Sequence, residues 1–259
     1  MTSIDIYPNS GFGDQCLSPV DGEIVEIRRV RAPQGIMFKD RGCDFVIIIK
    51  SINNPNQIVK ILHIETELKV GKIIRVGEKL GFLLRSGYFG YHTAPHIHLE
   101  VRPAEDPLRV RGGIPINCLM DFYEQKPVEM LRGIVVKSLP EFAVLELEGL
   151  EGFGVLAEVE GKTAILDGGI PTYGWVGAHM VEAPRAGVIK LLGKPIAHIT
   201  ESRGNACIAN CFNFDIKLSK TKVGLYMSLQ FGGLVHVSIS SIKSNLHLKK
   251  GEEVKLTIE

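Results

Sequence analysis

The chain lacks both a long hydrophobic run and an excess of charge of either sign. Its most apolar stretches, such as residues 45–49, have the length of a strand. They fall well short of the roughly 20 apolar residues of a membrane-spanning helix. Thirty lysine and arginine residues against 29 aspartate and glutamate residues give a formal net charge of +1. The sequence therefore predicts neither a membrane span nor a nucleic-acid partner.

Cysteine is scarce and irregularly placed. The 259 residues contain five cysteines, an odd and scattered set that disfavours a disulfide framework and favours a reducing compartment. The first eight residues, MTSIDIYP, show neither the charged region nor the apolar core of a signal peptide. We therefore expect a cytoplasmic protein.

Short runs of alternating apolar and polar residues dominate the chain. Such runs, at residues 23–27, 44–50, 57–64, 97–101 and 235–239, predict strands. The 28 glycines and 13 prolines suit many tight turns. We predict a mainly β protein with a domain over 1–107, a linker with a short helix over 108–130, and a second β-rich domain over 131–259.

The most informative stretch is residues 91–102, with the sequence YHTAPHIHLEVR. On a strand, alternate residues point to the same face, so His96, His98 and Glu100 share one face and the apolar residues between them share the other. Imidazole nitrogens are good zinc ligands, and a carboxylate can ligate the metal or orient a histidine. The pattern indicates metal binding or catalysis, although a solvent-facing strand that carries two histidines would look the same.

Three further segments accompany this stretch. His63 lies in an apolar run, where a lone histidine is by itself most simply structural. The turn at residues 18–22, the triplet at 62–64, the glycine run at 71–81 and the stretch at 86–102 follow one another along the chain. Their order resembles that of the lysostaphin-type zinc metallopeptidases over about residues 5–107. The resemblance implies an antiparallel barrel-sandwich, the duplicated hybrid motif.

The resemblance also implies a set of site residues. The family holds zinc through a His and an Asp of an H-x-x-x-D motif and through the second His of H-x-H. Carried over, Asp5 and His98 are metal ligands, and His63 and His96 are the catalytic histidines that position water or stabilise an oxyanion. The substrate would be a peptide or peptide-like molecule, such as a short Gly-containing peptide. Counting back four residues from Asp5 places Met1 where the family has a histidine, and a thioether is a poor zinc ligand.

Three explanations of that methionine stay open. The natural start could lie upstream and supply the histidine, and then also a leader. The protein could be a catalytically inactive relative that acts as a binding or scaffold module. Another group, such as Glu100, could replace the missing ligand. We expect a zinc-dependent peptidase- or amidase-like protein with an incomplete or N-terminally clipped metal site.

Four other features are weaker. His92 could contact substrate or be solvated. Cys207 and Cys211 have no usual zinc spacing and suit small buried side chains. The loop at 167–175 carries the only tryptophan, and its aromatic residues could bind a ligand or cover the core. The arginines at 28–31 suit a solvated strand end. Nothing in the sequence assigns a role to residues 131–259 or an oligomeric state.

Overall fold

The computed structural model describes most of the chain. The described residues are 3–8, 10–35, 38–90, 93–109, 112–116, 127, 130–139, 142–148, 154–227, 234–239 and 248–259, with 234–239 described by their backbone. Every regular element in this part of the chain is a strand. The short helix expected within 108–130 falls on residues 117–125, which lie outside the described residues.

The chain divides into two compact units, Met1–Cys118 and Leu119–Glu259. The part of unit 1 that the structure describes has nine strands: β1 (Ser3–Ile6), β2 (Gln15–Leu17), β3 (Gly22–Arg31), β4 (Cys43–Ser51), β5 (Gln57–Leu62), β6 (Ile64–Glu65), β7 (Ile73–Ile74), β8 (Lys79–Leu83) and β9 (Ile97–Pro103). Six of them form an antiparallel sheet in the order β1-β9-β5-β4-β3-β7, and the others form a small sheet in the order β2-β8-β6.

The two sheets of unit 1 enclose one apolar core. Buried residues of the large sheet, such as Ile24, Ile47 and Ile61, pack with Leu80 and Leu83 of the small sheet. They come from alternate positions of their strands because a strand sends successive side chains to opposite faces. The opposite face of the large sheet carries the polar residues of the candidate site.

The described residues of unit 2 form twelve strands: β10 (Leu131–Ser138), β11 (Ala143–Leu147), β12 (Val155–Val159), β13 (Lys162–Ile170), β14 (Trp175–His179), β15 (Val188–Leu191), β16 (Lys194–Arg203), β17 (Ala206–Cys211), β18 (Ile216–Leu218), β19 (Thr221–Met227), β20 (Leu234–Ile239) and β21 (Glu253–Ile258). They are joined in one antiparallel sheet that also pairs β12 with β13 and β19 with β20. The pairing of β12 with β13 closes six of the strands into a ring.

These observations confirm the predicted fold class. The protein is mainly β, with an antiparallel barrel-sandwich in its N-terminal unit and a second β-rich unit after it. No helix among the described residues is long and apolar enough to cross a membrane.

Candidate functional site

Strand pairing brings the ends of unit 1 together at the candidate site. Strand β1 pairs antiparallel with β9, and this register places Asp5 directly opposite His98. On its other side β9 pairs with β5, which places Lys60 opposite Glu100. Directly opposed residues point to the same face of a sheet. The pairing therefore places Asp5, His98, Glu100 and Lys60 on one polar face, away from the core.

Asp5 and His98 form a direct hydrogen bond. His98 Nδ1 donates to Asp5 Oδ1 at 2.7 Å, and His98 Nε2 lies 3.4 Å from Glu100 Oε1. Burial acts to lower the pKa of His98, but the two carboxylates outweigh it and hold that pKa above its ordinary value. Burial acts to raise the pKa of Asp5, and the hydrogen bond from His98 leads the effects that hold it below its usual range. The Asp5 side chain remains 42% exposed, so a ligand can reach its carboxylate.

Glu100 forms ion pairs with two basic side chains. Lys60 Nζ donates to Glu100 Oε1 at 3.1 Å, and an Arg102 guanidinium nitrogen donates to Glu100 Oε2 at 3.0 Å. Arg102 is fully buried and also donates to the backbone and side chain of Asp106. Burial acts to raise the pKa of Glu100, but these cations hold it below its ordinary value. Both oxygens of Glu100 therefore take part in an ion-pair network, and its role as a replacement ligand stays a prediction.

His96 and His63 lie beside this pair. His96 precedes β9, and its Nδ1 donates to the backbone oxygen of Ala94 at 3.0 Å. Its Nε2 lies 3.9 Å from Asp5 Oδ2. The His63 ring is 5.4 Å from the His96 ring and 6.4 Å from the His98 ring, centroid to centroid. The structure therefore brings together all four histidine and aspartate residues that the sequence nominated.

The local setting of His63 differs from the expectation of an apolar strand. His63 occupies the single-residue break between β5 and β6 and has a φ of 73°, in the left-handed region that residues other than glycine rarely adopt. The break turns the ring toward His96 and the aromatic ring of Phe89, whose centroid lies 4.7 Å away. Alternation along the sequence gives no sign of such a break.

Two polar residues at the site were missed by the sequence reasoning. Asp44 is fully buried, and its Oδ2 accepts hydrogen bonds from His63 Nδ1 and Ser86 Oγ, each at 2.6 Å. Burial acts to raise the pKa of Asp44, but hydrogen bonds from His63, Ser86 and the backbone hold it below its usual range. The one available signal was an acidic residue that opens a long apolar run, CDFVIIIK.

The side chains at this face fit part of a zinc site. One imidazole and one carboxylate, from His98 and Asp5, are ligand types that zinc prefers. Their 2.7 Å separation is shorter than the roughly 3.3 Å between two ligands of a tetrahedral zinc with bonds of about 2.0 Å, so the pair must open slightly to admit the ion. Within the described part of the chain, no three His, Cys, Asp or Glu side chains are arranged to hold a metal ion.

The remaining sequence candidates lie elsewhere. His92 is outside the described residues. Cys207 and Cys211 are free thiols whose pKa is raised by burial, in keeping with small structural residues. In unit 2, the rings of Tyr173 and Trp175 stack with centroids 6.0 Å apart, and both side chains are about half exposed.

Comparison with known proteins gives two matches. A family model described as "Domain of unknown function (DUF8155) N-terminal domain" matches residues 1–118. The chain is similar to a solved structure described as "NMR solution structure of lysostaphin", with 15% sequence identity, a TM-score of 0.27, and coverage of 81% of this chain and 86% of that chain. No curated protein matches the sequence. At such a TM-score the likeness carries no weight for function, and the fold of this chain rests on its own strand pairing.

Proposed function

We propose that unit 1 is a peptidase- or amidase-like hydrolase whose site is the polar face around Asp5, His63, His96 and His98. The cofactor is zinc, and the substrate is a peptide or peptide-like molecule. Asp5 and His98 would hold the ion. Zinc, when bound, supplies a water of lowered pKa and polarises a carbonyl group.

One observation supports this proposal more than any other. Asp5 Oδ2 and His96 Nε2 are 3.9 Å apart, and both are hydrogen-bond acceptors. His96 Nδ1 is the protonated nitrogen because it donates to a backbone carbonyl. Burial lowers the pKa of His96, which keeps the ring neutral and Nε2 without a proton. Two acceptors that face each other at this distance favour a cation, or a hydrogen-bond donor such as a water molecule, between or beside them.

The tautomers of the two catalytic histidines limit what they can do. His63 Nδ1 donates to Asp44 and His96 Nδ1 donates to Ala94, so in the neutral form of each ring Nε2 is the nitrogen without a proton. Each can therefore take a proton from a water or a substrate group, and neither can donate a hydrogen bond through Nε2 until it has done so. These residues are better suited to general-base catalysis than to binding an oxyanion in the resting protein.

Hydrolysis of a Gly-containing peptide that carries a fluorophore and a quencher tests the proposal. The 259-residue chain with added zinc should cleave it, a chelator should stop cleavage, and His63→Ala or His96→Ala should each reduce the rate by about 100-fold or more. His198→Ala, at an exposed position on β16, is the matched control and should retain the rate. Absence of cleavage across a panel of such peptides, or an equal loss in the control, would contradict it.

A second candidate function is a binding module without catalysis. The observation that favours it is the direct Asp5–His98 hydrogen bond, since a histidine whose pKa is raised by two neighbouring carboxylates is stabilised without a metal. In that case the same labelled peptides would bind, as measured by fluorescence anisotropy, and would stay intact in the presence of zinc.

A further inference from the structure

We propose that Asp44 is a positioning residue of this site, which fixes His63 in one tautomer and one orientation. The catalytic consequence of that role rests on the proposed function. The tautomer itself does not, because it is a property of the protein alone. Neither Asp44 nor its neighbour Ser86 was nominated by the sequence.

The Asp44 carboxylate is fully enclosed by hydrogen-bond donors. Its Oδ1 accepts from the backbone N–H of Phe45 at 2.6 Å and from the backbone N–H of His63 at 3.0 Å. Its Oδ2 accepts from Ser86 Oγ and from His63 Nδ1, both at 2.6 Å. The carboxylate has no exposed surface. Four donors converge on one anion, and two of them belong to the same histidine.

This arrangement fixes both the ring and the backbone of His63. An ionised carboxylate can only accept hydrogen bonds, so His63 Nδ1 must carry the proton. The bond to the backbone N–H holds His63 at its positive φ of 73°, a conformation that persists only where its surroundings enforce it. The Phe89 ring, 4.7 Å away, packs against the imidazole. The ring is therefore held at its Nδ1 side, with Nε2 as the nitrogen left for a substrate.

The simpler alternative is that Asp44 only accepts hydrogen bonds from buried backbone N–H groups where β5 ends. An Asp44→Asn variant separates the two ideas because an amide has one accepting oxygen and one donating nitrogen. If the oxygen keeps the two backbone donors, the NH₂ group faces Ser86 and His63 Nδ1. Ser86 can rotate its hydroxyl to accept, whereas His63 must move its proton to Nε2. The substitution therefore exchanges the tautomer and removes the accepting nitrogen from the site.

The test is the ¹⁵N spectrum of the histidine rings in the full chain, recorded at about pH 8, above the ordinary histidine pKa of about 6.5. A His63→Gln variant assigns the signal. We expect His63 to be the Nδ1–H tautomer in the wild-type protein and the Nε2–H tautomer in Asp44→Asn. Asp21→Asn is the matched control, because half-buried Asp21 receives a backbone hydrogen bond from Val76, and its amide can rotate to keep it. It should leave the His63 signal unchanged.

Hydrolysis then separates this inference from the proposed function. Asp44→Asn should lose about 100-fold or more in rate while it keeps the wild-type zinc content. An Nε2–H signal for His63 in the wild-type protein would overturn the inference, and this measurement does not depend on whether a variant folds. An unchanged tautomer in Asp44→Asn would overturn it too. The expected tautomers without any peptide hydrolysis would instead overturn the proposed function and leave the positioning of His63 intact.

Discussion

The buried ion-pair network beside the candidate site makes a quantitative prediction for Glu100→Leu. Glu100 lies between Lys60 and Arg102, whose side chains are 7% and 0% exposed. Removing the anion leaves Lys60 without the carboxylate of Glu100 and removes one of the carboxylates that contact Arg102. Loss of one partner of a buried ion pair costs about 3–5 kcal/mol because a buried charge is left uncompensated. We expect Glu100→Leu to lower the free energy of opening of β5 and β9 by an amount in that range.

A double-mutant cycle tests the cause of that loss. Lys60→Met should cost about 1–2 kcal/mol, since Glu100 keeps its bond to Arg102. The Lys60→Met/Glu100→Leu double variant should be more stable than Glu100→Leu alone, because the uncompensated lysine has gone. Native-state hydrogen exchange of peptides from β5 and β9 measures each value. A Glu100→Leu cost below about 1 kcal/mol, or strictly additive costs, would refute a network of buried charges.

Three further predictions concern the surroundings of His63. Gly87→Ala places a Cβ 1.8 Å from the backbone oxygen of Pro33, so it should cost at least about 2 kcal/mol and shift the His63 ring signals. In Gly11→Ala the added Cβ meets only the side chain of Asp14, at 3.2 Å or more, so this variant should do neither. Ser86→Ala removes one of four hydrogen-bond donors to Asp44 and should lower the free energy of unfolding in urea by about 1 kcal/mol. His63 should keep its Nδ1–H tautomer in this variant, and a change of tautomer would contradict the assigned hydrogen bonds. The fold holds the pKa of Asp44 below its usual range. The ionised Asp44 therefore stabilises the fold fully above its unfolded pKa of about 3.9, and this contribution is lost as pH falls through the folded pKa. Asp44→Asn should lose less stability than the wild type between about pH 5 and pH 2, and parallel losses would contradict this.

The strands were largely predictable, and their pairing was not. Local sequence indicates β9 by its alternation, and β4 by a short apolar run that is buried on both faces. The contact between Asp5 and His98 depends on strand pairing across 93 residues, which no local pattern contains. It could be predicted only from the order of motifs that resembles the metallopeptidase family. Lys60 looks like an ordinary polar residue of β5 until the register places it opposite Glu100. Asp44 was hidden for the same reason, since its partners His63 and Ser86 lie 19 and 42 residues away.

The zinc content of the 259-residue chain tests whether the polar face around Asp5 and His98 binds a metal ion. The protein is equilibrated with zinc, freed of loosely bound metal by gel filtration, and measured by elemental mass spectrometry beside Asp5→Ala, His98→Ala and the control His198→Ala. We expect about one zinc per chain in the wild type and the control, and loss of zinc in both ligand variants. A wild-type chain without zinc, or zinc that stays in Asp5→Ala and His98→Ala, would contradict a metal site at this face.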